Sequence, residues 1–187
     1  MDFRYADIVF FNPVPVLSEI LKIAQRCPWS HSAIATGHGT EVIGAEAEGI
    51  VRREMTLREL GDFAVLRHPG LSFRRGERVV AWALSKEGSK YDIKQLLIGF
   101  PLEIDISTPG KYTCTQFVRL AFLSQQFEIV QRIPPARTEP VHIWVQSNMR
   151  QIMIIRPSYK PSEMIVLWFR HISQKWARII KWKRKAI

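Results

Sequence analysis

Short apolar runs separated by polar punctuation open the chain. Residues 7–11 (DIVFF) form a compact β-type run, and in residues 14–25 apolar positions return every three or four residues behind Pro13 and Pro15. That pattern predicts a strand followed by an amphipathic helix. Residues 31–36 (HSAIAT) and 41–47 (EVIGAEA) flank a turn bounded by Gly37 and Gly39, as in a β-hairpin, and residues 50–53 and 63–67 extend the series into an antiparallel meander. Between 74 and 86 the period lengthens to that of a helix, with Val79, Val80, Ala83 and Leu84 on one face and Gly88 as the stop. Residues 91–100 read as a second short helix or turn. After the Pro109-Gly110 turn, residues 112–124 (YTCTQFVRLAFLS) are strongly helical, with Phe117, Leu120, Ala121 and Ser124 on one face and Cys114 in the first turn. A short helix over 138–147, with Thr138 as N-cap and Pro140 in its first turn, and a closing strand over 149–156 complete the pattern.

Strands and helices in this order define an α+β domain over residues 1–158, ended by a linker at Pro157 and Pro161. Residues 159–187 form a separate tail. There Ile165, Trp168, Phe169, Ile172, Trp176, Ile179 and Ile180 recur at helical spacing, and Arg170, Lys175, Arg178 and Lys181 fall off that stripe. Such a helix lies on an anionic membrane surface or packs on the domain core, and the stripe fits both equally. Charged residues interrupt the apolar run, so it is no spanning segment. Nucleic acid ranks third, because the aromatics are confined to the stripe instead of interleaving with the cations.

Charge sharpens this division. Of the formal +10 carried by 187 residues, +7 lies in residues 157–187, where eight Lys or Arg face one Glu. An anionic partner is therefore a matter for the tail, not for the domain. At 47% hydrophobic the chain can bury a core without disulfides, and its two cysteines, Cys27 and Cys114, need not pair. The opening MDFRYADIVFF lacks the pattern of a secretory signal, so the expected setting is the cytoplasm, with peripheral membrane association through the tail.

Cys114 is the residue with chemistry written into its position. A thiol attacks as thiolate, and the start of a helix lowers its pKa while offering free backbone N–H groups to an oxyanion. A base must come from elsewhere in the fold. Of the five histidines, His31 stands at the start of a strand, whereas His38 lies in a turn, His68 beside a proline, His142 on another helix and His171 in the tail. Cys27, followed by a proline and far from any helix start, is the poorer nucleophile.

The succession ADIVFF, WSHSAIATG, EVIGAEAEGI, GSKYD and YTCTQFVRLAF resembles the permuted papain-like amidases, the YiiX/YaeF-type relatives of the NlpC cysteine peptidases, over roughly residues 5–155. In that family the His strand precedes the Cys helix, as it does here. The resemblance implies an antiparallel sheet packed on helices, Cys114 as nucleophile, His31 as base, and an orienting polar group on the next strand. Gly44 occupies the position where the family often has that group. Glu46 falls on the same strand face, as does Glu48 nearer the turn, and Glu46 is the choice. Tyr91 and Asp92 match a recurrent pair beside the site, and Tyr91 and Tyr112 are expected to border the substrate. Asp7 matches an acidic residue of the family's opening motif and is read as a turn-capping carboxylate.

The implied activity is a cysteine amidase or endopeptidase working through an acyl-enzyme, without metal or organic cofactor. Peptide amides of the peptidoglycan type are the leading substrate, acyl lipids the alternative, and an inactive membrane- or protein-binding module the third reading.

Overall fold

A computed structural model of the chain describes residues 3–12, 27–56, 59, 63–102 and 104–145, together with the backbone of 150–155. The helix expected over 14–25 and the tail lie outside the described residues.

Six strands, β1 (Ile8–Phe11), β2 (His31–Ala35), β3 (Glu41–Glu46), β4 (Gly49–Glu54), β5 (Phe63–Arg67) and β8 (Arg150–Ile155), form one antiparallel sheet in the order β4-β3-β2-β1-β5-β8. A parallel pair of short strands, β6 (Lys90–Tyr91) and β7 (Lys111–Tyr112), stands apart from it. Three helices follow the expected positions: α1 (Phe73–Leu84), α2 (Cys114–Leu123) and α3 (Pro140–Trp144).

Alternation along the strands sorts side chains to two faces. Ile8, Phe10, Ile34, Ile43, Ala45, Ile50 and Leu66 join α1 and α2 in one cluster, to which Phe117, Val118, Ala121 and Phe122 contribute from α2. Val9, Phe11, Ala33, Ala35, Val42, Phe63 and Val65 line the opposite face. Burial on both faces explains why β1 reads as a continuous apolar run instead of an alternating one, and why β2 is buried throughout even at His31 and Ser32. Each fully buried Phe contributes roughly 1.5–3 kcal/mol of burial free energy, so α2 is anchored chiefly by its apolar face.

The turn between β2 and β3 needs Gly37, whose φ of +85° is left-handed and whose imagined Cβ would meet the Tyr5 ring at 2.8 Å. Asp7 caps its turn as expected, accepting from the Arg4 amide at 2.9 Å. It also does what its sequence position did not reveal, because Arg67 on β5 donates to both its carboxylate oxygens at 2.6 Å. Asp7 is 1% exposed while the Arg67 side chain keeps 26%, so Asp7→Asn should cost about 2–3 kcal/mol in urea unfolding, below the range of a fully buried pair.

One boundary differs from the sequence reading. The N-cap of α3 is Glu139, not Thr138, because Pro140 takes the first helical position. His142 closes the turn, its Nδ1 accepting from the Glu139 amide at 3.0 Å. Thr138 serves α2 instead, its hydroxyl receiving Arg119 at 2.9 Å and its carbonyl receiving the Thr115 hydroxyl. The buried Arg119 further grips Glu128 through two contacts of 3.0 Å and donates to the Ile133 carbonyl.

Candidate active site

Two local devices bring Cys114 to the first position of α2. Thr113 is the N-cap in an extended conformation, accepting from the Gln116 amide, and the Gln116 side chain accepts in return from the Thr113 amide at 3.2 Å. This capping box consumes other orphan donors of the first turn and leaves the Cys114 amide at the positive end of the helix.

β2 places His31 against that helix start. Its recorded pairing with β3 covers Ile34 with Ile43 and Ala35 with Val42, and stops short of His31. There the Ser32 amide, together with the Thr115 amide, instead favours the thiolate form of Cys114.

Cys114 and His31 are 3% and 7% exposed and adjacent enough to shift each other's ionisation. Burial raises the thiol, but the His31 hydrogen bond, its charge and the two amides outweigh burial and bring Cys114 below the usual thiol range. Burial likewise opposes a charged imidazole, yet Cys114 and then Glu46 raise His31 above its usual value, Arg53 acting against them. Both shifts run in the direction that favours a thiolate beside an imidazolium. His31 Nε2 has no hydrogen-bond partner, which leaves Nδ1 for the thiol.

Glu46 does lie on the His31 face, its Oε1 3.8 Å from Nε2. Its direct partner, however, is Arg53, whose Nε donates to the same oxygen at 2.8 Å. Arg53 in turn is held by both oxygens of Glu59, at 2.9 and 2.8 Å. Gly44 sits beneath the ring: a Cβ there would stand 3.3 Å from His31 Nε2 and 3.0 Å from the Ala33 methyl.

The β6–β7 pair sets Tyr91 beside Tyr112, two residues before the nucleophile. Burial, followed by the charge of Cys114 and a hydrogen bond between its thiol and the Tyr91 hydroxyl, pushes Tyr91 well above the usual phenol range. The half-buried Tyr112 packs edge-on against Trp82 and Phe117. Asp92 shapes the loop that follows, accepting from the Gln95 and Thr108 amides at 3.1 and 2.6 Å. Cys27 is unsuited to attack, since burial and the nearby Cys114 and Glu139, offset in part by the Trp29 amide, push its thiol up to about 12.

Sequence reasoning missed Arg53 and Glu59. Arg53 shares the face of Glu46 and Gly44 by the alternation of β3 and β4, a signal that parity alone could have raised. The short helical segment expected after Tyr91 is present, over residues 93–102, but its sequence did not reveal that Ile93, Leu97, Ile98 and Leu102, with Ile104 just beyond, are all exposed.

No family model and no curated protein matches this chain. Among solved structures it is similar to the metalloprotein YiiX of Escherichia coli O157:H7 (DUF1105), with a TM-score of 0.61 and 14% identity over 81% of this chain and 97% of that one. At that identity the likeness is one of fold, an α+β architecture with an antiparallel sheet packed against helices. Among the described residues no helix is long and apolar enough to cross a membrane.

Proposed function

We propose that this chain is a cysteine hydrolase with a circularly permuted papain-like domain, in which Cys114 is acylated by its substrate. The observation that carries the reading is the buried Cys114–His31 pair at the start of α2, with the thiol lowered and the imidazole raised. The Cys114 sulfur attacks a carbonyl carbon, and the oxyanion that forms is met by the Cys114 amide, the helix dipole and the Tyr91 hydroxyl. The His31 imidazolium passes its proton to the departing amine. Water, deprotonated by the now neutral imidazole, then releases the acid from the thioester.

Peptide amides of the peptidoglycan type are the substrates to which the sequence resemblance points. A second reading, acyl lipids, is favoured by the exposed apolar helical segment that starts two residues from Tyr91. YiiX bears the name metalloprotein, but among the described residues here no three His, Cys, Asp or Glu side chains gather around a common point. The described residues therefore do not fit a metal centre.

Incubation with muropeptides and, in parallel, with acyl phospholipids, followed by acid quench and mass spectrometry, tests the reading. A Cys114 thioester and a freed amine are expected with muropeptides. Acylation by the lipid alone establishes the second reading, and no adduct with either supports a non-catalytic binding module.

A further inference from the structure

Glu46 engages His31 incompletely, and the reason lies on its other side. Its Oε1 is 2.8 Å from Arg53 Nε but 3.8 Å from His31 Nε2, a buried nitrogen without a hydrogen-bond partner. The remaining Arg53 nitrogens are occupied by Glu59. Glu59 is fixed by the Thr56 amide and hydroxyl at 2.9 and 2.8 Å. Phe11 backs the assembly, its ring 5.1 Å beneath the guanidinium and 4.9 Å from the His31 ring. Only a planar fork of donors can grip two carboxylates in this way.

Resting on the catalytic reading above, we propose that Arg53, clamped by Glu59, is a positioning residue that holds the Glu46 carboxylate short of hydrogen-bond contact with His31. A carboxylate in full contact with Nε2 would stabilise the imidazolium further and so make its other proton, on Nδ1, a weaker acid toward a leaving group. Restrained, Glu46 favours the imidazolium without trapping it. The charged and titratable groups facing His31 are Cys114 from α2, Glu46 from β3 and Arg53 from β4, with Tyr91 of β6 facing Cys114.

The test is the pH dependence of Cys114 alkylation by iodoacetamide in the full chain, read by peptide mass spectrometry. In Arg53→Met, Glu46 closes on His31 and an opposing positive charge is lost, so the acid limb should move to lower pH by about half a unit or more. In Glu59→Gln, Arg53 loses its counter-charge, draws harder on Glu46 and opposes the imidazolium, so the limb should move to higher pH. Arg53→Lys, able to make only a point contact, should fall between wild type and Arg53→Met. A merely structural role cannot give shifts of opposite sign. Curves that superimpose, or that move in the same direction, while wild-type Cys114 reacts on the acid side overturn the clamp and leave the catalytic pair standing. Wild type without acid-side reactivity overturns both. Should Arg53→Met fail to fold, Arg53→Lys and Glu59→Gln carry the same comparison of sign.

Discussion

Cys114→Ser is expected to abolish thiol alkylation at neutral pH and to lower turnover of the amide or acyl substrate by on the order of 10⁴-fold or more, with the melting temperature unchanged. The hydroxyl keeps the shape of the buried site but not the acidity on which attack depends. His31→Ala should leave the thiol in place and remove its reactivity at mildly acid pH, by on the order of 10²-fold or more, because burial then acts on Cys114 without its main opposing group. In the wild type the thiolate is lost as pH falls through the lowered Cys114 value, and the imidazolium is lost as pH rises through the raised His31 value. Activity should therefore be bell-shaped, its acid limb below the ordinary thiol range and its alkaline limb above the ordinary imidazole range. Equal labelling of wild type and His31→Ala across pH would remove His31 from the mechanism.

The next largest effect is expected at Gly44, where the resemblance led one to look for a polar side chain. A Cβ at this position stands 3.3 Å from His31 Nε2 and 3.0 Å from the Ala33 methyl, so the ring must yield by a few tenths of an ångström. Gly44→Ala should slow Cys114 alkylation about tenfold, and Gly44→Val, with two further carbons beneath the ring, about a hundredfold or more, as expected when a reacting group is misplaced by up to about 1 Å. Iodoacetamide rates near neutral pH, beside thermal melts, measure both. If Gly44→Val reacts like the wild type, the ring has room and the close approach carries no functional weight. The absence of a Cβ at Gly44 is thus what leaves room for the imidazole at its present distance from β3.

Much of the fold could be read from pattern because its cause is local. The runs in β1 and β5 are rich in apolar β-branched and aromatic residues, the period change into α1 and α2 is clear, and the turn between β2 and β3 carries glycines where the backbone takes a positive φ. The start of α3 was misjudged by one residue, since a threonine before a helix looks like a cap until its hydroxyl is seen to serve Arg119. Tyr112, close to Cys114 in sequence, packs its ring on Trp82 and Phe117, whereas Tyr91, distant in sequence, lies beside the thiol and is shifted by it. Neighbours along a short strand point to opposite sides, and chain distance says nothing of which side is buried.

By itself the sequence determined that Cys114 begins a helix, that His31 begins a strand, and that Glu46 shares a strand face with Gly44. Capping chemistry and side-chain period act within a few residues, so they are legible without the fold. Only the tertiary structure decided that the two reacting groups meet, because it depends on β2 parting from β3 where α2 arrives. The same holds for the carboxylate. Its choice of Arg53 over His31 is a competition between charges brought together by three strands, and no spacing along the chain encodes which contact is the shorter.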